Sequence, residues 1–199
     1  MEWRLYGGVG VLVELESPEA VLRWCAAIDA SPLEMVARPG WQSVLVTSEL
    51  STPELLDALR SLEFASAVAP AIAPREFEVP VVYNGEDLHL VAELTGLSVK
   101  TVISRHVGAL YTVVFLGFSR AFPYLSGLDP ALWIPRRAIP RARVPAGAVA
   151  IAAGQTGIYP QATPGGWHLL GQCALSFFDE GDDPPSSLQP GDHVRFVAT

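Results

Sequence analysis

The sequence predicts an α+β protein: a small N-terminal α+β domain over residues 1–75, followed by a closed or nearly closed β-barrel over 76–199. Three observations carry this. Before Ala65, apolar strand-like stretches alternate with two marked helix starts. Ala65–Pro74 is apolar and bounded by proline, as a linker region is. Beyond Leu110, short apolar stretches alternate with wide Pro/Gly loops, the pattern of many short strands that suits a barrel.

The elements follow in order. Trp3–Tyr6 and Val9–Leu15 alternate or run apolar and read as strands. Ser17-Pro18-Glu19 supplies a capping hydroxyl, a proline suited to the first turn and an acid near the positive helix end, so a helix runs to about Ala30. Trp41–Thr47 is another strand. Ser51-Thr52-Pro53-Glu54 repeats the start signal, and the next helix carries Leu55, Leu56, Leu59 and Leu62 on one side. Val79–Tyr83 reads as a short strand. Asp87–Leu94 and Ser98–His106 read as helices parted by Gly96, the second capped by Ser98. Tyr111–Leu116, Ala148–Ala152, Leu169–Phe178 and His193–Val197 are the remaining strand candidates, with turns and loops between them.

Composition narrows the class. The chain has 199 residues, half of them hydrophobic, enough for a real core. No apolar run approaches the roughly 18–20 residues of a membrane span. The start, Met-Glu-Trp-Arg, lacks the features of a secretory signal, and Cys25 and Cys173 lack metal spacing, so a cytoplasmic protein with reduced thiols is expected. A formal charge of −8 argues against nucleic-acid binding. Yet between Leu94 and Phe178 seven cations (Lys100, Arg105, Arg120, Arg136, Arg137, Arg141, Arg143) face one acid, Asp129. Such a field inside an acidic protein suggests a local site for a small anion. Arginine also suits planar, bidentate recognition of carboxylate or phosphate.

Standard catalytic signatures are missing. No phosphate-cradling loop ends in Gly-Lys-Ser/Thr, and the four histidines show no metal-ligand spacing, so no metal site is expected. Gly117-Phe118-Ser119-Arg120-Ala121 only approaches the Gly-x-Ser-x-Gly elbow, and Ser119 reads as a loop serine. Asp179, Glu180, Asp182 and Asp183, followed by two prolines, read as a solvated loop. The candidates are elsewhere. Prolines stiffen the segments bearing Arg136, Arg137 and Arg141, which lowers the cost of ordering them around an anion; the alternative is pairing with acids of the first domain. Gln155, Thr156 and Tyr159 lie on a loop with glycines that let backbone approach a ligand. Pro164-Gly165-Gly166-Trp167 reads as a structural turn with a packed indole. His106 ends a predicted helix and is the one histidine suited to acid/base work, or it complements the helix dipole.

These same residues carry a family resemblance. Tyr83-x-Gly85-x-Asp87-Leu88, His106, Tyr111, Gly117-Phe118, Phe122-x-Tyr124-Leu125, Pro135-Arg136, Pro140-Arg141, Val144-Pro145-x-Gly147, Gln155-Thr156-Gly157-x-Tyr159-Pro160, Pro164-Gly165-Gly166-Trp167, Leu170-Gly171 and Pro190-Gly191-Asp192 together match one pattern. The chain resembles the B subunit of the bacterial ATP-dependent 5-oxoprolinase, a family also called allophanate hydrolase subunit 1, which includes an inhibitor of a sporulation histidine kinase. The resemblance implies that the barrel is cyclophilin-like. It implies a subunit-C-like barrel partner and a third, TIM-type subunit, and an assembly that converts 5-oxo-L-proline to L-glutamate with ATP as co-substrate, with or without Mg, the single chain being inactive. In that setting Arg136, Arg137 and Arg141 would bind the anion, Gln155, Thr156 and Tyr159 would orient the substrate, and His106 would exchange a proton. The alternatives are a regulator of a sensor histidine kinase, an allophanate or urea-amidolyase type of hydrolase, and a prolyl-binding module. The chain departs from the pattern at Gly7-Gly8, where an acid is typical, at Arg120-Ala121, where Pro-Gly is usual, and at Gln172, Cys173 and Ala174, where arginine, threonine and proline are usual.

Overall fold

Serine residues open the helices of the N-terminal unit. The Ala20 N–H donates to Ser17 Oγ (3.2 Å) at the start of α1 (Pro18–Asp29). At α2 (Thr52–Ser66) the Ser51 N–H donates to Glu54 Oε2 (2.9 Å), one half of a capping box. The structure, a computed structural model, describes residues 2–7, 10–66 and 74–199, with 63–66 described by their backbone. The chain divides into two units, Met1–Ala73 and Pro74–Thr199.

In the first unit, β1 (Glu2–Tyr6), β2 (Gly10–Glu14), β3 (Met35–Pro39) and β4 (Ser43–Ser48) form an antiparallel sheet in the order β1-β2-β4-β3. Val11, Val13, Val44 and Val46 are buried on its helix-covered face with Trp24 and Ile28 of α1 and Leu55 and Leu59 of α2. The sequence reading lacked β3, an edge strand whose Met-Val-Ala-Arg-Pro shows no clean apolar alternation. The linker region expected over Ala65–Pro74 lies largely outside the described residues, as does Val9, the expected start of the second strand; α2 itself extends to Ser66.

The second unit is a nearly closed barrel. Its strands are β5 (Glu76–Val81), β6 (Tyr111–Gly117), β7 (Phe122–Ser126), β9 (Ala148–Ala152), β10 (Gln155–Ile158), β12 (His168–Gln172) and β13 (His193–Ala198), in the order β12-β9-β10-β7-β6-β13-β5. β8 (Arg141–Val144) and β11 (Thr163–Gly165) form a separate ribbon. The two outer strands meet just beyond β5. The Val82 N–H donates to the Gln172 carbonyl and the Gln172 N–H to the Val82 carbonyl, both at 2.9 Å. The seam continues with Gly85 N–H to Leu170 O (3.0 Å) and Asp87 N–H to Leu169 O (3.1 Å). Only glycine allows this approach at two positions: a Cβ on Gly171 would overlap the Val82 carbonyl oxygen, and one on Gly85 the Leu169 carbonyl. Helices α3 (Leu88–Thr95) and α4 (Val99–Val107) bury Val91 and Val102 in the same core as Val79, Val113, Ile151 and Phe196.

Five expectations change, two of them at 141–144 and 163–165, read as loop and turn, which pair as β8 and β11. Residues 122–126 and 155–158, read as loops, are strands: the turn with Phe118 (φ 61) and Ala121 (φ 59) folds β7 back onto β6, and the turn at Ala153 (φ 50) and Gly154 (φ 79) folds β10 back onto β9. The strand expected over Leu169–Phe178 ends at Gln172, after which the Cys173 N–H turns to the Gly147 carbonyl (2.8 Å).

Candidate functional site

Alternation along β9 builds the floor of the site. Val149 and Ile151 join the barrel core, whereas Ala148, Ala150 and Ala152 face outward into a second cluster with Phe122, Tyr159 and Trp167. Methyl side chains leave room for rings to lie close to the sheet. Phe122 meets Tyr159 (centroids 4.9 Å apart, 78°) and Trp167 (5.3 Å, 87°) edge to face. Above them is a cleft of about 340 Å³, also lined by Phe118, Tyr124, Arg136 and Arg137. Phe118 stands on the tight β6–β7 turn at φ 61, with Ala121 at φ 59, and leaves 64 % of its surface exposed.

The arginines have distinct places. Arg136 is exposed, with its guanidinium carbon 5.9 Å from the Trp167 ring centroid, and has no carboxylate partner among the described residues. Arg137 and Arg141 instead converge on Asp87, which is 3 % exposed. Asp87 Oδ1 accepts from Arg137 Nη1 (2.7 Å) and Arg141 Nη2 (2.8 Å), while Oδ2 accepts from the Leu169 N–H (2.8 Å). Arg141 also donates to Glu86 Oε2 from Nε (3.2 Å) and Nη2 (3.1 Å). Burial pushes the Asp87 carboxyl up, but the Arg141 hydrogen bond, the Leu169 amide and both arginine charges pull it down, and the net result lies below the usual carboxylate range. Arg137 Nε and Arg141 Nη1 are enclosed and have no partner among the described residues. The partners of these two arginines thus belong to their own unit.

Tyr159 is 1 % exposed, and the Trp167 N–H reaches its phenol. Burial raises the phenols of Tyr159 and Tyr124, against the opposing charge of Arg136, so both remain protonated at neutral pH. A Cβ on Gly165 would overlap the Tyr159 hydroxyl, so this glycine belongs to the cleft wall.

His106, Thr156 and Tyr83 form a different group, inside the barrel core. Thr156 Oγ1 donates to the Ala150 carbonyl (3.0 Å), so at its contact with His106 Nε2 (3.0 Å) it accepts the ring N–H. His106 Nδ1 then accepts from the Tyr83 hydroxyl (2.6 Å). The ring is fully enclosed, stacked on Phe196 at 4.6 Å, and burial pushes its pKa down to about 3. Both nitrogens are engaged, and the ring does not line the cleft. Gln155 is 8 % exposed, sits opposite Ala152 on β10, and its Oε1 has no partner among the described residues; neither it nor Thr156 lines the cleft. Of the residues singled out in the sequence, Arg136, Arg137 and Tyr159 therefore meet at the cleft. Arg141 joins through Asp87, and His106, Thr156 and Gln155 stand apart. Asp87 was missed. It begins a helix, as the sequence suggests, but makes no side-chain cap bond and turns its carboxylate to the arginines. Arg120 is taken up by Glu180, and Gln172 donates to the Ala146 carbonyl (2.5 Å).

The model of the family described as carboxyltransferase domain, subdomain C and D, matches residues 1–188. The chain belongs to this family. It is 44 % identical to the B subunit of 5-oxoprolinase from Escherichia coli O157:H7, over 97 % of this chain and 94 % of that protein. The crystal structure of TTHA0988 (38 % identity, TM-score 0.77) matches 96 % of this chain but only 40 % of its own, so the chain spans less than half of that polypeptide. A Kluyveromyces lactis urea amidolyase shares the fold at 20 % identity, with a TM-score of 0.79 over 99 % of this chain and 15 % of its own. Within the family fold, the cleft lies on the outer face of the barrel, and the seam residues Gly85–Asp87 supply the carboxylates that face its arginines.

Proposed function

We propose that this chain is the B subunit of an ATP-dependent 5-oxoprolinase, helping to convert 5-oxo-L-proline to L-glutamate, and that it works with a subunit-C-like barrel partner and a third, TIM-type subunit. The observation that carries the reading is the end-to-end similarity to a protein named as the B subunit of 5-oxoprolinase. The larger TTHA0988 chain, of which a region like this one forms 40 %, supports a protein that acts joined to others. Arg136 supplies positive charge to a small acid in the cleft, Arg137 offers it a hydrogen-bonding wall while paired with Asp87, and the rings of Phe122, Tyr124 and Trp167 keep water from its body. Arg141 and Asp87 hold Arg137 in place. His106, Thr156 and Tyr83 fix the helix α4 end against the barrel wall. ATP, with Mg, is a co-substrate of the assembly. The residues of this cleft do not fit a triphosphate: Asp87 and Glu86 face two of the three arginines, which leaves one uncompensated cation, Arg136.

The test is ATP hydrolysis by the chain mixed with its partner subunits. The expected result is turnover that depends on 5-oxo-L-proline and not on allophanate, with negligible turnover by the chain alone. Equal stimulation by allophanate, or full activity without partners, would refute it.

A further inference from the structure

We infer that the cleft over Trp167 takes a singly charged carboxylate with a flat, compact body, and that ATP binds elsewhere in the assembly. This rests on the function proposed above for the choice of probe, not for the charge argument.

The charge balance comes first. Three guanidinium groups, those of Arg136, Arg137 and Arg141, gather at this side of the barrel, but Asp87 and Glu86 already face two of them. One net positive charge is left, and it is at Arg136, which meets no acid among the described residues. A site with a single uncompensated cation suits a monoanion. A triphosphate carries several negative charges, and would need further cations, a metal or a row of free backbone N–H groups. The paired glycines of the wall do not provide that row. Gly165 is glycine because Tyr159 occupies the space of a side chain, it pairs with Arg141 in the β8–β11 ribbon, and the backbone N–H of Trp167 is directed to the Tyr159 phenol.

The walls then set the body of the ligand. Phe122, Tyr124 and Trp167 present rings to a cleft of about 340 Å³, at the small end of the roughly 300–1,000 Å³ of ligand pockets. Phe122 and Tyr124 meet at 5.1 Å and 63°, and Tyr124 and Trp167 at 5.7 Å and 78°, so the rings form an angled box rather than a flat shelf. A small planar ring fits between such faces. The phenols of Tyr124 and Tyr159 stay protonated and offer hydrogen bonds without adding charge. Arg136, above the Trp167 face, is where a carboxylate on that ring would end.

The experiment is calorimetric titration of the full chain and its Arg136→Gln variant with 5-oxo-L-proline, 5-oxo-L-prolinamide, benzoate and MgATP. Arg136 is exposed and unpaired, so the variant should keep the melting temperature of the parent chain. The expected result is binding of 5-oxo-L-proline, at least tenfold weaker binding of the uncharged amide, a similar loss in Arg136→Gln, and no displacement by MgATP. Equal binding of acid and amide, competitive displacement by MgATP, or failure of both acids to bind would overturn the inference. If benzoate bound with the same Arg136 dependence and 5-oxo-L-proline did not, the charge class of the cleft would stand and the proposed substrate would fall.

Discussion

Replacing Asp87 should destabilise the protein more than any other single change at the site. Its carboxylate is buried and accepts from Arg137, Arg141 and the Leu169 amide at 2.7, 2.8 and 2.8 Å. In Asp87→Ala, Arg137 Nη1 and the Leu169 N–H lose their acceptor, and Arg141 Nη2 keeps only Glu86. Removing one partner of a buried ion pair costs about 3–5 kcal/mol. The arginine side chains are 29 % and 16 % exposed, so water recovers part of that loss and the lower half of the range applies, about 3–4 kcal/mol. Asp87→Asn keeps one oxygen acceptor but no charge and should lose about half as much, or about 1.5–2 kcal/mol. Urea unfolding at neutral pH, followed by far-ultraviolet circular dichroism, measures both. The pH dependence is a second check. The folded pKa is held below the unfolded value of 3.8, so the carboxylate's stabilisation is complete above about that pH and is lost as pH falls further, through the folded value. The gap between the parent chain and Asp87→Asn should therefore narrow below about pH 3.8 and not between pH 5 and 8. A loss under about 1 kcal/mol in Asp87→Ala would mean that the carboxylate is not the node on which the arginines depend.

Two further outcomes are expected. Ala153→Asn should raise stability by about 1 kcal/mol in the same unfolding assay, because Ala153 is an exposed L-residue at φ 50 beside Gly154 in the β9–β10 turn, where asparagine is better tolerated; an unchanged or lower stability would refute the turn assignment. The His106 ring, followed by ¹H–¹⁵N spectroscopy, should stay neutral with its proton on Nε2 down to pH 5, since its pKa falls from 6.5 to about 3; its stabilising effect is whole above pH 6.5 and declines as pH drops below, and a titration midpoint near 6.5 would show that the ring is open to water.

Local chemistry made much of the fold legible. Ser17, Ser51 and Ser98 mark helix starts through contacts within three residues of themselves, and the Thr101 N–H donates to Ser98 Oγ at 3.1 Å. β9 and β13 are apolar enough to stand out. β10 was hidden because Gln155-Thr156-Gly157 has a loop's composition. Gly157 is there because Phe122, from another strand, lies where its side chain would be. The site divides the same way. Arg136, Arg137 and Tyr159 carry their signal in their own neighbourhood of prolines, glycines and rings. His106 read as a helix-end histidine suited to acid/base work or to the helix dipole, and only the barrel wall around it makes it a neutral core group. Trp167 was read as a packed indole, which it is at 5 % exposed, but it also floors the cleft.

The charge count that suggested an anion site overstated the charge left at the cleft, and the reason is topological. The acids that balance Arg137 and Arg141 stand 50 and 54 positions before them for Asp87, and 55 for Glu86, outside any window drawn around the arginines. They arrive through the seam that closes the barrel. Val82, Gly85 and Asp87 bond in turn to Gln172, Leu170 and Leu169, and the Leu169 N–H returns a bond to the Asp87 carboxylate, so that side chain is held by a strand partner as well as by the arginines. β12 follows directly on Trp167, the ring beneath Arg136, and pairs with β9, whose alanines seat that ring. One strand thus fixes the aromatic floor and the acid that removes charge from it. The charge left at the cleft is thus set by backbone closure as much as by the arginines that first drew attention to it.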